Sequence, residues 1–574
     1  MILKTMDGAQ ALVRCLESEG VEYIFGLSGG AAIPIFDALV TTKTKIKLVL
    51  VRHEQGAAFM ADGYARATGK PGVVLVTSGP GATNTLTGIM TAHMDSVPMI
   101  VITGQTVTSM LGKDAFQEAD VFGITMPVVK HSYLVKNSND IPRIMREAFY
   151  ITNTGRPGPV LIDIPKDISQ GTFSGDLHTE MDLPGYRIDS SFDQSRVLEI
   201  AEALSKSKKP AIIVGHGAII SDASEAILKL VEKLNAPVTT TLLGKGAFPE
   251  SHRLSLGMLG MHGTAYANKA IIECDLVMSI GSRYDDRIVG QPHRFCRNAV
   301  RIHIDIDRAE IGKMIKCQYW CVGDARLIVE ELTKHVTRLD TVEWLKHLDG
   351  YKKKFPLKYK KQGGLKMQHV LDELDKLTKG KAIISTDVGQ HQMWAAQFCR
   401  SEKPFNWLSS GGAGSMGYGF PAAIGAKFGR PKDIVVAVVG DGGFQMTLSE
   451  LATACVHKVP VKVLVMNNHY LGMVRQWQEL FYEDRKSGVD LEGNPDFAKL
   501  ADCYPGAKGF TLKRPADVRK ILTRALEYDE GPCVINAECV KTDNVYPMIP
   551  AGKALEDMLT EEPKCQLEKP TGST

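Results

Sequence analysis

The stretch IVVAVVGDGGFQMTLSELATA (residues 434–454), followed by VKVLVMNN (461–468), decides the fold. In both stretches an apolar run ends in glycine, aspartate or asparagine. That pattern is typical of a buried parallel strand whose carboxyl end faces a ligand. The residues from about Thr447 onward have the composition of a helix, and the order strand, glycine-rich turn, helix, strand predicts a parallel α/β sheet.

Five further apolar runs have the same character and predict more strands of this kind: VVLVTSG (73–79), MIVITGQ (99–105), VLIDIP (160–165), AIIVGHG (211–217) and LVMSIG (276–281). Two polar breaks, 169–191 and 339–365, interrupt the pattern, and we interpret the basic run 352–361 in the second break as a solvated linker. We therefore predict an α/β protein of three domains, each a mainly parallel sheet flanked by helices. The predicted limits are 1–170, 190–338 and 366–548, with a C-terminal arm at 549–574.

The outer two predicted domains contain similar sequences. GYARATGKPGVVLVTSGPG in the first and GYGFPAAIGAKFGRPKDIVVAVVGDGG in the third both place a helix, a Gly-x-Pro stop, an apolar strand and a glycine-rich turn in that order. The likeness predicts two related sheets that hold a ligand between them.

Composition excludes several classes of protein. Across 574 residues, 68 basic and 65 acidic side chains leave a formal charge of +3, too small for a nucleic-acid-binding or membrane-surface protein. The sequence contains no apolar run of 18 residues, which argues against a membrane span. Eleven scattered cysteines without a C-x-x-C pair argue against a zinc site or disulfide framework. With no leader-like segment at the N-terminus, these features predict a cytoplasmic protein.

Polar residues at two strand ends predict a magnesium and phosphate site. Asp441 lies between Gly440 and Gly442, and Asn468 follows 27 residues later at the end of the next strand. Carboxylate and amide oxygens are ligands that suit Mg²⁺, while the glycines allow backbone N–H groups to approach a phosphate. An isolated Gly-Asp-Gly is usually only a turn, so the prediction depends on the Asn at this spacing.

The segment from GDGGFQMTLSELATA through NNHYLGMV resembles the diphosphate-binding motif of thiamine-diphosphate enzymes. The resemblance implies that Asp441, Asn468 and the backbone carbonyl of Tyr470 bind Mg²⁺. Thiamine chemistry also needs a buried carboxylate that drives the aminopyrimidine to its imino form. Glu54 in VRHEQGAAFMADGYARATG, which alone reads as a first-turn helix acid, matches the catalytic glutamate of the family. The family usually builds its site from two subunits, which implies at least a homodimer.

Within these enzymes, nearly the whole chain resembles the large catalytic subunit of the acetohydroxyacid synthase (acetolactate synthase) family. The strings that carry the resemblance include FGLSGGAAIPIFDAL, SGPGATN, GKDAFQEAD, GRPGPVLIDIPKD, RYDDR, HIDIDRAEIGK and GSMGYGFPAAIGA. The family decarboxylates pyruvate and condenses the two-carbon unit with pyruvate or 2-oxobutyrate, giving 2-acetolactate or 2-aceto-2-hydroxybutyrate for branched-chain amino acids. A small regulatory subunit is also implied. The chain departs from the family at Leu27-Ser28, where Tyr-Pro is usual.

The predicted middle domain resembles the FAD-binding domain of this family, in which the flavin takes up no net electrons. From the residues alone, Gly215-His216-Gly217 reads equally well as a strand-to-helix turn. The residues that the resemblance assigns to FAD are Arg156, Gly215, Gly217, His262, Arg283, Asp305 and Asp324.

Further residues match family positions near the reaction. Met473 and Trp477 are an i, i+4 pair on one helix face, and they read equally well as a core stripe. By resemblance, Trp477 forms the pocket that favours the ethyl group of 2-oxobutyrate. The remaining residues assigned to the catalytic and thiamine sites are Phe116, Gln117, Lys166, Gln390, His391 and Met416.

Two alternatives are less favoured. A related FAD-containing thiamine enzyme, such as glyoxylate carboligase or pyruvate oxidase, shares the motif, but glyoxylate carboligase lacks the carboxylate that Glu54 supplies. A catalytically silent cofactor-binding paralogue would not need the set of Glu54, Asp441 and Asn468.

Overall fold

The computed structural model of the protein describes residues 6–188 and 191–562. Within these ranges, three six-stranded sheets are parallel throughout, and a short antiparallel pair joins Met6–Asp7 to Thr172–Phe173. The predicted fold class is confirmed. Every residue of Gly72–Val76 and Met99–Gln105 is buried, as expected for parallel strands that are covered by helices on both faces.

The first and third sheets share one topology. If the strands of each are numbered in chain order, both sheets run 2-1-3-4-6-5. Across the first sheet the strands are Lys47–Leu50, Tyr23–Leu27, Gly72–Val76, Met99–Gln105, Pro159–Pro165 and His131–Leu134. Across the third they are Trp407–Ser409, Ile383–Thr386, Val435–Gly440, Lys462–Asn467, Cys533–Glu538 and Lys508–Leu512. This agreement is what the similar sequences of the two domains predict.

The middle sheet has a different order, 3-2-1-4-5-6, which is the order of a dinucleotide-binding sheet. Its strands are Ser255–Met258, Val238–Thr240, Pro210–Val214, Leu276–Ile280, Val300–Asp305 and Tyr319–Val322. The strand order reverses between Pro210–Val214 and Leu276–Ile280, and ligands bind outside the carboxyl ends of the strands at such a point.

Helices cover each sheet. Those of the first sheet are Gly8–Ser18, Ile33–Thr41, Glu54–Thr68, Pro80–Asn84, Leu86–Asp95, Val121–Thr125, Ile141–Asn153 and Lys166–Gln170. Those in the sequence of the middle sheet are Gln194–Ser205, His216–Ile220, Ser224–Leu234, Ala265–Glu273, Asp286–Val289, Ala325–His335 and Val342–Lys354. Those of the third are Met367–Thr378, Gln390–Phe398, Gly419–Gly429, Asp441–Thr447, Glu450–Val456, Gly472–Phe481, Phe497–Asp502 and Val518–Glu527.

The described residues form two compact units. One contains the first and third sheets and comprises residues up to Ser191 together with 360–395 and 399–541. The other contains the middle sheet and comprises 192–359, 396–398 and the chain from Thr542 onward. In this second unit, Leu555 belongs to the apolar core and the amide of Ile549 donates to the carbonyl oxygen of Met261. The predicted domain limits, including the start of the arm at 549, stay predictions.

The first and third sheets are joined by two closely packed helices, Glu54–Thr68 and Gly419–Gly429. A Cβ atom added to Gly63 would lie 2.0 Å from the carbonyl oxygen of Ala422, and one added to Gly425 would lie 1.8 Å from that of Met60. Only glycine permits such close approach of two backbones. The contact fixes how the two sheets of this unit are arranged.

No helix within 6–188 and 191–562 is both long and apolar enough to cross a membrane.

Candidate active site

Glu54 is the first residue of the helix Glu54–Thr68. His53 caps this helix, since its Nδ1 accepts a hydrogen bond from the amide of Gln55 at 3.1 Å, and Gly69, with φ of 74°, ends it. The Glu54 side chain is 7% exposed. Nδ2 of Asn84 donates a hydrogen bond to its Oε2 at 2.9 Å. Within the described residues, this is the only side-chain hydrogen bond of the buried carboxylate.

A glycine-rich turn brings Gln117 close to Glu54. A Cβ atom added to Gly81 would lie 3.5 Å from Oε1 of Glu54, and one added to Gly79 would lie 2.7 Å from the carbonyl oxygen of Gln117. Gln117 itself has φ of 58°, a conformation that non-glycine residues rarely adopt. Phe116, its neighbour, is 88% exposed.

The loop that carries Gln117 is held by the buried pair Gln105 and Asp163. Nε2 of Gln105 donates to Oδ2 of Asp163 and to the carbonyl oxygen of Ala119, both at 2.9 Å. Oγ1 of Thr103 donates to the other carboxylate oxygen at 2.6 Å. Burial raises the pKa of Asp163 to about 7. Lys166 follows the strand Pro159–Pro165, whose last residue pairs with Gln105, so it lies at the same edge of the sheet.

At the Leu27-Ser28 departure, Leu27 ends its strand and Ser28 is exposed. A Cβ atom added to Gly29 would lie 2.6 Å from the side chain of Thr77. The loop is therefore packed against the next strand of the sheet.

In the third sheet, Asp441 and Asn468 follow neighbouring strands, Val435–Gly440 and Lys462–Asn467. Nδ2 of Asn494 donates to Oδ2 of Asp441 at 2.7 Å and lies 3.3 Å from Oδ1 of Asn467. Burial raises the pKa of Asp441 to about 6. Two predicted ligands thus share one edge of the sheet.

The third predicted ligand, the Tyr470 carbonyl, lies in a short antiparallel bridge. Tyr470 is paired with Asp490 in this bridge. The two hydrogen bonds of the bridge run from the amide of Leu471 to the carbonyl oxygen of Val489 and from the amide of Leu491 to the carbonyl oxygen of His469. The Tyr470 carbonyl is not an acceptor in either bond. The amide of Tyr470 donates to Oδ1 of Asn468 at 3.2 Å.

Gln390 and His391 begin a helix beside these residues. Oε1 of Gln390 lies 3.5 Å from Nδ2 of Asn468, and Nε2 of Gln390 donates to Oε1 of Gln476 at 2.9 Å. A Cβ atom added to Gly440 would lie 2.8 Å from the ring of His391. Burial lowers the pKa of His391 to about 3, so the ring is neutral. Its buried Nε2 has no hydrogen-bond partner in the part of the chain that the structure describes, which leaves this nitrogen free to contact a bound group.

Met416 and Gly442 are neighbours in the same region. A Cβ atom added to Gly442 would lie 3.6 Å from the Met416 methyl carbon and 3.0 Å from a methyl of Leu471. Gly440, Gly442 and Met416 thus line the same surface as the predicted Mg²⁺ ligands.

The middle sheet presents a tight turn where its strand order reverses. A Cβ atom added to Gly215 would lie 2.2 Å from the carbonyl oxygen of Gly281, and one added to Gly217 would lie 2.8 Å from the Cα of Gly281. Oγ1 of Thr240, at the carboxyl end of the next strand, is buried with no partner among the described residues. Close backbone approach and an unsatisfied hydroxyl at this edge fit a dinucleotide.

The other residues assigned to FAD are spread over both units. In the second unit, His262 lies 3.4 Å from the carbonyl oxygen of Pro547 through Nδ1, and burial lowers its pKa to about 4. Oδ1 of Asp305 accepts from the amide of Asp307, and Asp324 caps the helix Ala325–His335. Arg283 is half-buried beside Asp285. In the first unit, Nε of Arg156 donates to Ser96 at 2.8 Å.

Comparison with known proteins matches all three sheets to one family. Residues 6–124, 197–332 and 387–537 match the N-terminal TPP binding, central and C-terminal TPP binding domains of thiamine pyrophosphate enzymes. An acetolactate synthase of Mycobacterium bovis is 45% identical over 568 residues, covering 97% of this chain and 92% of the relative. An acetolactate synthase large subunit of Haemophilus influenzae is 44% identical over 571 residues, covering 98% and 99%. One from Corynebacterium glutamicum is 46% identical over 564 residues, covering 96% and 90%.

The chain belongs to the acetolactate synthase family. The membership predicted from the sequence, and with it the prediction of a thiamine-diphosphate enzyme, is confirmed. The roles of individual residues within this acetolactate synthase fold stay predictions.

Met473 and Trp477, predicted to select the substrate, lie on the helix Gly472–Phe481 and are half-buried. Nε1 of Trp477 is buried and has no hydrogen-bond partner within the described ranges. The start of this helix lies beside a residue of the predicted cofactor site, because a Cβ atom added to Gly472 would lie 2.3 Å from Oε1 of Gln390.

Sequence reasoning missed Asp387, which follows the strand Ile383–Thr386. Its fully buried carboxylate accepts hydrogen bonds from the amides of Gly417 at 3.1 Å and Gly419 at 2.9 Å, on either side of the turn after Met416. Burial raises its pKa to about 6. The signal was present, since Asp387 is a polar residue at the carboxyl end of an apolar strand.

A buried ionic network, also missed, holds the loop that leads to Met416. Arg66 pairs with Asp62 at 2.6 Å and with Asp95 at 2.7 Å. The Asp95 carboxylate accepts from the amides of Gly411 at 3.0 Å and Gly412 at 2.7 Å. Asp62 and Arg66 are four residues apart on one helix, but nothing in the sequence indicates their link to residues 411–412.

Proposed function

We propose that the protein catalyses the acetolactate synthase reaction, condensing a two-carbon unit from pyruvate with a second 2-oxo acid. The products are 2-acetolactate, or 2-aceto-2-hydroxybutyrate when 2-oxobutyrate is the acceptor. The observation that carries the proposal is the buried Glu54 carboxylate held by Asn84, in a chain 44–46% identical to acetolactate synthases over nearly its whole length.

Thiamine diphosphate and Mg²⁺ fit the third sheet. The carboxylate of Asp441, the amide oxygen of Asn468 and the Tyr470 carbonyl are oxygen ligands of the kind Mg²⁺ prefers. Gln390 and His391 are assigned to the cofactor, and Nε2 of His391 is buried without a partner in the described chain. When bound, thiamine diphosphate supplies a carbon nucleophile and an electron sink for loss of CO₂.

The chain's own residues handle the proton and the substrates. Glu54 holds a proton at its carboxylate, and Asn84 keeps that group oriented. Gln117, beside the same turn, is assigned to position the substrate or its carbonyl, and Phe116 and Lys166 are assigned to positions near the reaction. Met473 and Trp477 are assigned to the acceptor pocket.

FAD fits the middle sheet. The reversal of strand order, the close glycine turn at Gly215 and Gly217, and the unsatisfied hydroxyl of Thr240 support a dinucleotide there. Arg156, His262, Arg283, Asp305 and Asp324 are assigned to the same cofactor. When bound, FAD would take up no net electrons in the proposed reaction.

We also propose that two copies associate and that a small regulatory subunit binds. Several large apolar side chains are exposed in the first and third sheets' unit: Ile33, Phe116, Met126, Met446 and Val474. The proposal of a dimer rests on the family resemblance, because that family usually builds its site from two subunits. The relatives from Haemophilus influenzae and Corynebacterium glutamicum are named large subunits, which supports a smaller partner. We propose that the protein is located in the cytoplasm. Light scattering of the purified chain tests the dimer, and a monomer at all concentrations would contradict it.

Product analysis tests the reaction. The protein, supplied with thiamine diphosphate, Mg²⁺ and FAD, is incubated with pyruvate alone and with pyruvate plus 2-oxobutyrate. We expect 2-acetolactate in the first case and both acetohydroxyacids in the second. The folded Glu54→Gln variant is the matched control and should form both products at least about 10²-fold more slowly. A wild-type protein that consumes no pyruvate, or that releases only acetaldehyde or acetate, would overturn the proposal.

A further inference from the structure

Glu450 is a buried carboxylate that the reaction has not so far used. It begins the helix Glu450–Val456, nine residues after Asp441, and is 0% exposed. Its side chain reaches Arg52 and His53, which follow the strand Lys47–Leu50 of the first sheet. Both sheets belong to the same compact unit.

The contacts of Glu450 converge on the residues just before Glu54. Its Oε1 accepts hydrogen bonds from the amides of Arg52 and His53, both at 3.0 Å, and its Oε2 lies 3.2 Å from the amide of Arg52. Oγ1 of Thr453 donates to Oε2 at 2.7 Å. Three donors thus satisfy the carboxylate, and two of them are the backbone of the turn that ends in Glu54.

The first turn of the Glu54 helix also packs directly on this carboxylate. A Cβ atom added to Gly56 would lie 2.5 Å from Oε1 of Glu450. The absence of a side chain at residue 56 therefore allows the helix to sit against the carboxylate. A displaced Glu450 would leave both the amides and the helix turn without their support.

A buried carboxylate at this position loses its hydration, a free-energy cost that a side chain needed only for packing would avoid. Burial raises the pKa of Glu450, while its hydrogen bonds to Thr453, Arg52 and His53 lower it. An apolar side chain would fill the same space without desolvation. Hydrogen bonds to a charged acceptor are short and directional, so the carboxylate fixes the position of two backbone N–H groups, which an apolar residue cannot do.

We propose that Glu450 is a positioning residue for Glu54: it holds the backbone of Arg52 and His53 so that the carboxylate of Glu54 meets the cofactor in the correct place. Asn84 orients the same carboxylate directly, so Glu54 is supported from two sides. The inference rests on the proposed function, because it concerns the proton step assigned to Glu54.

The test replaces Glu450 by Gln and follows the proton at C2 of bound thiamine diphosphate. The Gln oxygen can occupy the Oε1 position, but its NH₂ group would face the Arg52 amide 3.2 Å away and the negative charge that strengthens both amide bonds is lost, so the turn is held less firmly. A misplacement of about 1 Å at a reacting group costs roughly 10²-fold. In the loaded holoenzyme we expect hydrogen–deuterium exchange at C2, measured by acid quench and NMR, to slow about ten- to hundredfold. kcat should fall in parallel, while KM for pyruvate changes less.

Glu147→Gln is the matched control. Glu147 is another buried carboxylate of this unit, 1% exposed, which accepts from the amide of Asp182 at 2.8 Å and from the hydroxyl of Tyr133 at 2.9 Å. It lies on the helix Ile141–Asn153, and none of its contacts involve residues assigned to the site. We expect a comparable loss of thermal stability and a wild-type rate of C2 exchange.

The outcomes separate this inference from the proposed function. If the wild type forms no acetohydroxyacid, the proposed function fails. If the wild type is active and Glu450→Gln exchanges the C2 proton at the wild-type rate, or if Glu147→Gln slows it equally, the positioning role is wrong. If the Gln variant does not fold, Gly56→Ala replaces it, because the added methyl group must displace Glu450. We again expect slow C2 exchange in this variant, and exchange at the wild-type rate would overturn the inference.

Discussion

Nδ2 of Asn84 lies 2.9 Å from Oε2 of Glu54, and this hydrogen bond links the helix that follows one strand of the first sheet to the helix after the next strand in the chain. It is the one side-chain hydrogen bond that the Glu54 carboxylate makes within the described residues. The pair therefore gives a graded test of the proton step. Replacing Glu54 removes the acid–base group itself, whereas replacing Asn84 removes only the hydrogen bond that orients it.

Glu54→Gln should slow C2 exchange by about 10²–10⁴-fold, the usual worth of general acid–base catalysis. Asn84→Ala should slow it by up to about tenfold, since a hydrogen bond to a charged group contributes roughly 1.5–3 kcal/mol and this one is partly exposed. The measurement is NMR of the quenched cofactor. Wild-type exchange in the Gln variant would remove Glu54 from the proposed role.

Asn494→Ala should weaken Mg²⁺ binding without touching the proposed ligands. The amide of Asn494 donates to Asp441 at 2.7 Å, and loss of such a supporting contact commonly costs 10–100-fold in metal affinity. The measurement is the Mg²⁺ concentration that restores half of the activity after EDTA treatment. Asn406→Ala is the control, because Asn406 is buried just before the strand Trp407–Ser409 of the same sheet and bonds to Lys381 and Arg430 instead. Equal Mg²⁺ dependence in both variants would contradict the prediction.

The purified protein should be yellow, with about one flavin per chain, on the basis of one dinucleotide-type sheet in each chain. Activity should be unchanged under anaerobic conditions without an external electron acceptor, since the proposed reaction transfers no net electrons. Flavin released by heating is quantified by fluorescence. A colourless protein that reaches its full rate without added FAD would contradict the assignment of the middle sheet.

The parts of the fold that depend on local pattern were predictable. The apolar runs at 434–440, 461–467 and 211–214 are observed strands, because burial on both faces leaves a continuous apolar run. The same runs indicated Asp441 and Asn468, since polar residues at strand ends share one edge. Asp387 also follows an apolar strand, Ile383–Thr386, so the same rule applied to that strand predicts it.

Other parts depend on contacts that no local pattern contains. Glu450 and the amides of Arg52 and His53 are nearly 400 residues apart in the chain, and Asn494 lies in a loop with no periodicity. In isolation Glu450 resembles any acid in a helix's first turn. Its role depends on the close approach of two helices at Gly63 and Gly425, which composition and periodicity do not determine.

Asp163 should make the stability of the protein depend on pH. Burial raises its pKa in the folded state to about 7, well above the value near 3.9 of an unfolded aspartate. The folded state therefore binds more protons between these values, so this group's contribution falls as pH rises from about 4 to 7. In Asp163→Asn this pH-dependent loss of stability should disappear. The melting midpoint of the variant should therefore rise relative to that of the wild type as the pH increases from 5 to 7.5. Parallel melting curves across this range would show that Asp163 is charged in both states.

Trp477→Leu should change the choice of acceptor more than the rate of acetolactate formation. Trp477 lies one helical turn beyond Met473 on the helix Gly472–Phe481, whose first residue packs against Gln390. A flat apolar wall there would contact the extra methylene of 2-oxobutyrate, which in a well-fitted pocket is worth about 1–3 kcal/mol. Shortening it to Leu should lower the preference for 2-oxobutyrate over pyruvate by about tenfold or more. Both acceptors are supplied together and the two acetohydroxyacids are separated by chromatography. The wild-type product ratio in the Leu variant would mean that Trp477 only packs the helix, and the indole would then have no part in selecting the second substrate.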